Sequence, residues 1–263
     1  MITSTANDKV KYARSLQRRR RRDSERQFLV EGLRLIEDAV RAGCVPALLF
    51  YQEEQADIER VQSLLARLQE LGVLCLSAND EVLRSLSETM TPQGIVAVVP
   101  HPELPRPESP DLVLVLDRLR DPGNLGSILR TAAAAGVDEV LMTRGTVDPI
   151  NSKALRAGMG AHFRLPISYG LSWRQVQDRL RGLTVWVADA AGERSHDTVD
   201  WHLPSALIVG GEAAGPSEQA VVQAHGRLSI PMQSGMESLN AAAATAVILF
   251  EAARQRRTQK RAD

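Results

Sequence analysis

Short apolar runs alternate with amphipathic stretches along most of the 263 residues. In the first hundred, residues 28–30, 47–51, 73–76 and 94–99 are apolar runs of strand length. Between them the apolar positions recur at helical spacing. Leu33, Leu35, Ile36 and Val40 share one face after Glu31-Gly32. Ile58, Val61, Leu64, Leu65 and Leu68 share another across 55–71, which Gly72 ends. Residues 7–22 are expected to form one basic helix and 79–87 a short helix. This alternation predicts a small α/β domain.

Beyond residue 110 the pattern changes in weight. Residues 112–116 are uniformly apolar, which suits a parallel strand buried on both faces. Further strands are expected at 139–142, 163–167, 184–188, 206–209 and 227–230, the second of them closed by Pro166. Helices are expected at 125–135, 152–159, 173–181 and 217–224, with a long final helix at about 238–256. Residues 121–124 read as a loop. Between the halves stand Pro100, Pro102, Pro105, Pro107 and Pro110 with charges among them. Such a stretch supports neither helix nor central strand. The expected division is an α/β domain over 1–99, a linker over 100–110 and a second domain over 111–263.

Composition narrows the function classes. The apolar fraction of 44% is that of a globular protein, and the formal net charge is zero. The ends are not neutral. Residues 1–26 hold nine Lys or Arg against three Asp or Glu, with Arg18, Arg19, Arg20, Arg21 and Arg22 in one run. Arg254, Arg256, Arg257, Lys260 and Arg261 crowd the tail. Basic ends on a neutral body suit nucleic-acid contact, although a solvated arm has the same composition. Cys44 and Cys75 are too few for a disulfide framework and read as reduced thiols of a cytoplasmic protein. No apolar run reaches the ~18 residues of a membrane span, and no signal peptide is expected. The five histidines lack metal-ligand spacing, so no metal is expected.

Three segments combine glycine and polar side chains after apolar runs: D-P-G-N-L-G-S-I-L-R-T (121–131), I-V-G-G-E-A-A-G (208–215) and I-P-M-Q-S-G-M-E-S-L-N (230–240). In open α/β sheets such strand ends hold ligands. The spacing G-G-E-A-A-G is not the dinucleotide pattern G-x-G-x-x-G, and no G-K-[ST] loop occurs. Taken singly, each segment has a plain structural explanation. The glycines permit turns, Arg130 is a surface arginine, and Ser238 or its neighbour caps a helix.

Taken together, the segments closely resemble the three motifs of the SpoU/TrmH family of RNA ribose 2′-O-methyltransferases, in the SPOUT superfamily. The matching residues are N-L-G-S-I-L-R-T (124–131), G-G-E-A-A-G (210–215) and I-P-M with S-L-N-A-A-A-A (230–244). R-x-F-L-V-E-G (26–32) and P-Q-G-I-V-A-V-V (92–99) are similar to the family's N-terminal substrate-binding domain. The resemblance implies a C-terminal SPOUT domain with a parallel sheet and a deep trefoil knot, and a homodimer. It implies S-adenosylmethionine as cofactor, held around Gly210, Gly211, Ile230, Met232 and Leu239. It makes Arg130, Asn124, Glu212, Ser238 and Asn240 the catalytic set. The five arginines from Arg18 to Arg22, with Lys153 and Arg156, would hold RNA. The implied substrate is large-subunit ribosomal RNA. A tRNA target and a catalytically inactive RNA-binding protein are the alternatives.

Overall fold

A computed structural model describes residues 1–89, 91–212, 215–233 and 238–259, and its chain divides into two units at Glu103 and Leu104. The first unit holds α1 (Asp8–Ser15), α2 (Arg19–Glu25), β1 (Gln27–Glu31), α3 (Leu33–Arg41), β2 (Leu48–Tyr51), α4 (Glu59–Glu70), β3 (Leu74–Ser77), α5 (Asp80–Leu86) and β4 (Ile95–Pro100). Its four strands lie in the order β1-β4-β2-β3. Phe28 and Val30 point to the inner side of β1, and neither is exposed.

The expected basic helix over 7–22 is two helices. Leu16 follows the end of α1 and is buried, so the chain must turn there. Arg22 fastens the break: its Nη1 donates to the carbonyls of Leu16 at 2.9 Å and Gln17 at 2.7 Å. Residues 55–71 also divide, into a 3₁₀ turn Glu53–Asp57 and α4.

The second unit holds β5 (Leu112–Asp117), α6 (Pro122–Ala135), β6 (Glu139–Thr143), α7 (Ser152–Gly158), β7 (Ile167–Leu171), α8 (Trp173–Arg179), β8 (Thr184–Ala188), β9 (Arg194–Ser195), β10 (Ser205–Gly210), α9 (Glu218–Gln223), β11 (Gly226–Ser229) and α10 (Ala241–Gln259). The sheet order is β7-β6-β5-β10-β8-β11-β9, and every pairing is parallel. The period of two along β5 feeds both faces. Leu112, Leu114 and Leu116 pack with Ile128, Leu129 and Leu249 on one side, and Val113 and Val115 pack with Val176, Leu180 and Ala220 on the other.

Three boundaries differ from the sequence expectation. Residues 121–124 are not a loop. Asp121 caps α6 by accepting from the Asn124 N–H at 2.7 Å, and Pro122 supplies the fixed φ of a first helical residue. The strand expected at 163–167 begins at Ile167, because Pro166 offers no N–H to the ladder, and Ala161–Phe163 forms a 3₁₀ turn. The final helix starts at Ala241, because Asn240 accepts from Ala242 N at 2.8 Å. Two-residue β9 carries no apolar signal and was invisible in the pattern.

Gly126 lets α6 touch α7. A Cβ there would lie 2.4 Å from the Ala154 carbonyl and 2.6 Å from the Ala157 Cβ. Next to this crossing His162 is buried at 1% exposure, and its Nε2 faces the Pro149 carbonyl at 2.8 Å. Burial holds the ring neutral and pushes its pKa down from 6.5 to about 4. An unfolded His162 takes up a proton near 6.5, whereas the folded one does not. Its contribution is therefore complete above pH 6.5 and is lost as pH falls toward 4, to the extent of about 3 kcal/mol. Urea unfolding between those limits should show wild type losing stability more steeply than His162→Gln. Parallel pH dependences would refute this assignment.

Candidate active site

β5 neighbours both β6, its successor in the chain, and β10. At such a reversal of strand order, the loops leaving the carboxyl ends diverge and leave a crevice. Asp117, the last residue of β5, is fully buried there. Its Oδ1 accepts from the Thr143 hydroxyl at 2.8 Å and its Oδ2 from the Ser217 N–H at 3.0 Å. One carboxylate thus fixes the end of β6 and the start of α9 around the crevice.

Glu212, two residues past β10, reaches across to the β5–α6 connection. It accepts from the backbone N–H groups of Arg120 at 3.2 Å and Asp121 at 3.3 Å. It also accepts from the Asn124 side-chain amide at 2.9 Å. Burial pushes the Glu212 carboxyl up. The Asn124 amide and the N–H groups of Glu212, Arg120 and Asp121 outweigh it, and the net shift is below the usual range. Asn240 donates to Asn124 Oδ1 at 3.1 Å, and its own Oδ1 accepts from Ala242 N and Ala243 N at 2.8 and 3.4 Å. Asn240, rather than Ser238, therefore caps α10. A continuous chain of hydrogen bonds, Asn240 to Asn124 to Glu212, joins all three segments singled out in the sequence.

Beside this chain lies a cavity of about 480 Å³. Gly210, Gly211, Glu212, Ile230, Met232, Ser238, Leu239 and Asn240 line it, eight of the ten residues expected in the catalytic and cofactor sets. Gly210 is obligatory, since a Cβ would lie 2.3 Å from the Gly215 carbonyl carbon and from Pro216 N. Asn124 joins the cavity through its hydrogen bonds. Arg130 does not line it. It is exposed on α6, about 9 Å along the axis from Asn124, and forms no hydrogen bond or ion pair among the described residues.

Asp189 and Ala190 also line the cavity and were missed. Their signal, polar and small residues ending an apolar strand, was the same one used for the other segments. Lys153 is exposed and pairs with Asp121 at 3.1 Å, and Arg156 lies on the same helix. Of the arginine run, Arg18, Arg19, Arg20 and Arg21 are exposed. Arg22 departs from the expectation for the run: its side chain is buried, and Nη1 donates to the carbonyls of Leu16 and Gln17 in its own chain. Lys260 and Arg261 lie outside the described residues.

The cavity has the volume of a small-ligand site, an apolar wall, and two carboxylates. Among the described residues no Lys, Arg or His lines it. That set fits a cationic nucleoside, which is what S-adenosylmethionine is.

The SpoU rRNA Methylase family matches residues 111–250, and the MRM3-like substrate binding domain matches residues 7–97. The chain is 35% identical to rRNA methyltransferase 3, mitochondrial, of Mus musculus, over 90% of this chain and 69% of that protein. It is 33% identical to the 23S rRNA (guanosine(2553)-2′-O)-methyltransferase RlmP of Bacillus subtilis, over 95% and 97%. Its structure is similar to the SpoU methyltransferase AviRb of Streptomyces viridochromogenes in complex with AdoMet. There the TM-score is 0.87 at 30% identity, covering 96% of this chain and 99% of that one. Cavity and comparisons together define an RNA methyltransferase whose methyl donor is S-adenosylmethionine. The chain belongs to the SpoU rRNA methylase family.

Glu212 accepts from three neighbouring N–H donors outside its own residue, and a glutamine amide would turn one donor against them. Glu212→Gln should weaken S-adenosylmethionine binding about tenfold or more. Calorimetry giving an unchanged Kd would show that the carboxylate does not hold the cavity's mouth.

Proposed function

We propose that this enzyme methylates the 2′-oxygen of a ribose in large-subunit ribosomal RNA. The observation that carries the reading is the Asn240–Asn124–Glu212 chain at the edge of the cavity, on the helix that also bears Arg130. Bound in the cavity, S-adenosylmethionine supplies an electrophilic methyl group on its sulfonium. Gly210, Gly211, Ile230, Met232 and Leu239 hold it. Asn124, held on one side by Glu212 and on the other by Asn240, orients the incoming ribose with Ser238. Alignment of the attacking oxygen contributes several kcal/mol on its own.

Arg130 meets the substrate from outside the cavity. A guanidinium stays protonated in proteins, so it does not serve as a base. It gathers a phosphate of the RNA and stabilises the alkoxide that develops at the 2′-oxygen as the hydroxyl proton passes to water, while the O–C bond forms, the S–C bond breaks and its electron pair stays on the sulfur of S-adenosylhomocysteine. Its lack of any protein partner among the described residues leaves it available. Arg18 to Arg21, Lys153 and Arg156 hold further phosphates, which positions RNA without reading its bases.

The same reading assigns substrate binding to residues 1–99 and methyl transfer to 111–263, with 100–110 as linker. It includes the deep trefoil knot, a cytoplasmic setting, and a homodimer. The exposed Val247 and Phe250 of α10, at 40% and 44%, support the last. Relatives named for ribosomal RNA in a bacterium and in a vertebrate support the substrate.

Ribose-methylation mapping of ribosomal RNA, in cells with and without this protein, should reveal one lost site. The wild-type gene should restore it and Arg130→Ala should not. In vitro, Arg130→Ala should lower turnover about 10²–10³-fold and leave the Kd for S-adenosylmethionine within twofold. Lost cofactor binding in a folded variant would overturn the role given to Arg130. An unchanged methylation map would overturn the substrate.

A further inference from the structure

We propose that Asp189 receives the ribose hydroxyls of the cofactor's nucleoside and is the side chain that selects a ribonucleoside donor. This rests on the reading that the cavity holds S-adenosylmethionine.

Asp189 stands just past β8, on the cavity wall beside Leu228 and Ile230. Its N–H donates to the Leu228 carbonyl at 2.9 Å, which extends the β8–β11 ladder by one residue. That bond sets the side chain next to the apolar part of the wall, where a flat base would lie. The side chain is 20% exposed. Oδ1 accepts from Ala191 N at 2.9 Å, and Oδ2 faces Arg227 Nη1 at 3.4 Å. A carboxylate has about four lone-pair directions, so acceptor capacity remains toward the cavity.

The other carboxylate on the wall has less to give. Glu212 is occupied by Arg120, Asp121 and Asn124. Among the described residues no further ionisable side chain lines the cavity. The cofactor presents three kinds of donor to a carboxylate: its ribose hydroxyls, its adenine amino group and its ammonium. The Arg227 guanidinium already sits against Asp189, and a second cation there would meet like-charge repulsion. Neutral hydroxyls do not. Of the two neutral donors, only the vicinal hydroxyls offer O–H groups on two adjacent atoms to the two oxygens of one carboxylate, so the hydroxyls fall to Asp189, and the sulfonium end of the ligand faces the Asn124–Glu212 side of the cavity.

Calorimetry on the full chain tests this with three probes: S-adenosylhomocysteine, its 2′-deoxy analogue, and 5′-methylthioadenosine, which has the ribose but no ammonium. In wild type, loss of the 2′-hydroxyl should weaken binding about 10–100-fold. Asp189→Ala, its fold checked by circular dichroism, should bind both homocysteine probes equally. It should also weaken 5′-methylthioadenosine as much as S-adenosylhomocysteine. Equal affinities of wild type for the hydroxylated and deoxy probes would overturn the proposal without any variant. So would a preference retained in Asp189→Ala, or a loss confined to the probes that carry an ammonium. Failure of wild type to bind any of the three would remove the cofactor reading itself, and this inference with it.

Discussion

The Glu212 carboxylate lies between two connections and bonds both of them to the segment that opens α6. One leaves β5 and the other leaves β10. Each carries backbone N–H groups at a strand end, where the ladder no longer supplies acceptors. Glu212 takes two of those N–H groups from the first connection and adds the Asn124 amide. Its charge is kept by these donors against the cost of partial burial. The orientation of Asn124 follows, because its amide is given to Glu212 and only its oxygen is left for Asn240. The start of α10 follows in turn, since Asn240 spends its own oxygen on the cap of that helix. Three connections distant in sequence are thus placed by one anion.

Beneath that layer the parallel sheet does the coarser work. β5 and β10 pair from Leu112 to Asp117 against Ser205 to Gly210 with no slip in register. Both connections therefore emerge at one level. Asp117 then anchors Thr143 and the N–H of Ser217, the cap of α9, out of contact with solvent. A buried carboxylate is tolerated only where its lone pairs are satisfied, and here two polar neighbours satisfy them.

Charge is sorted by depth. The cavity wall carries carboxylates and apolar side chains, which suit a sulfonium donor. The cations stand outside it, as Arg130, Lys153 and Arg156 on helices and as the exposed arginines of the first unit. This separation matches a cationic cofactor within and a polyanionic substrate without.

The parallel sheet was legible because uninterrupted apolar runs have few other uses in a chain of this composition. The glycine and polar segments were legible because strand ends in such sheets are where ligands sit, and their residue order resembled a known family. Other features were hidden by the same logic. Arg22 looked like its neighbours in the run, and only burial against the Leu16 and Gln17 carbonyls sets it apart. Asp189 was one polar residue among many until β11 came alongside. The sequence by itself determined most of the strands and which family their connecting segments resemble, because those are properties of local residue order. Only the tertiary structure decided which side chains meet, because Asn124, Glu212 and Asn240 come together through hydrogen bonds between residues about ninety to over a hundred positions apart.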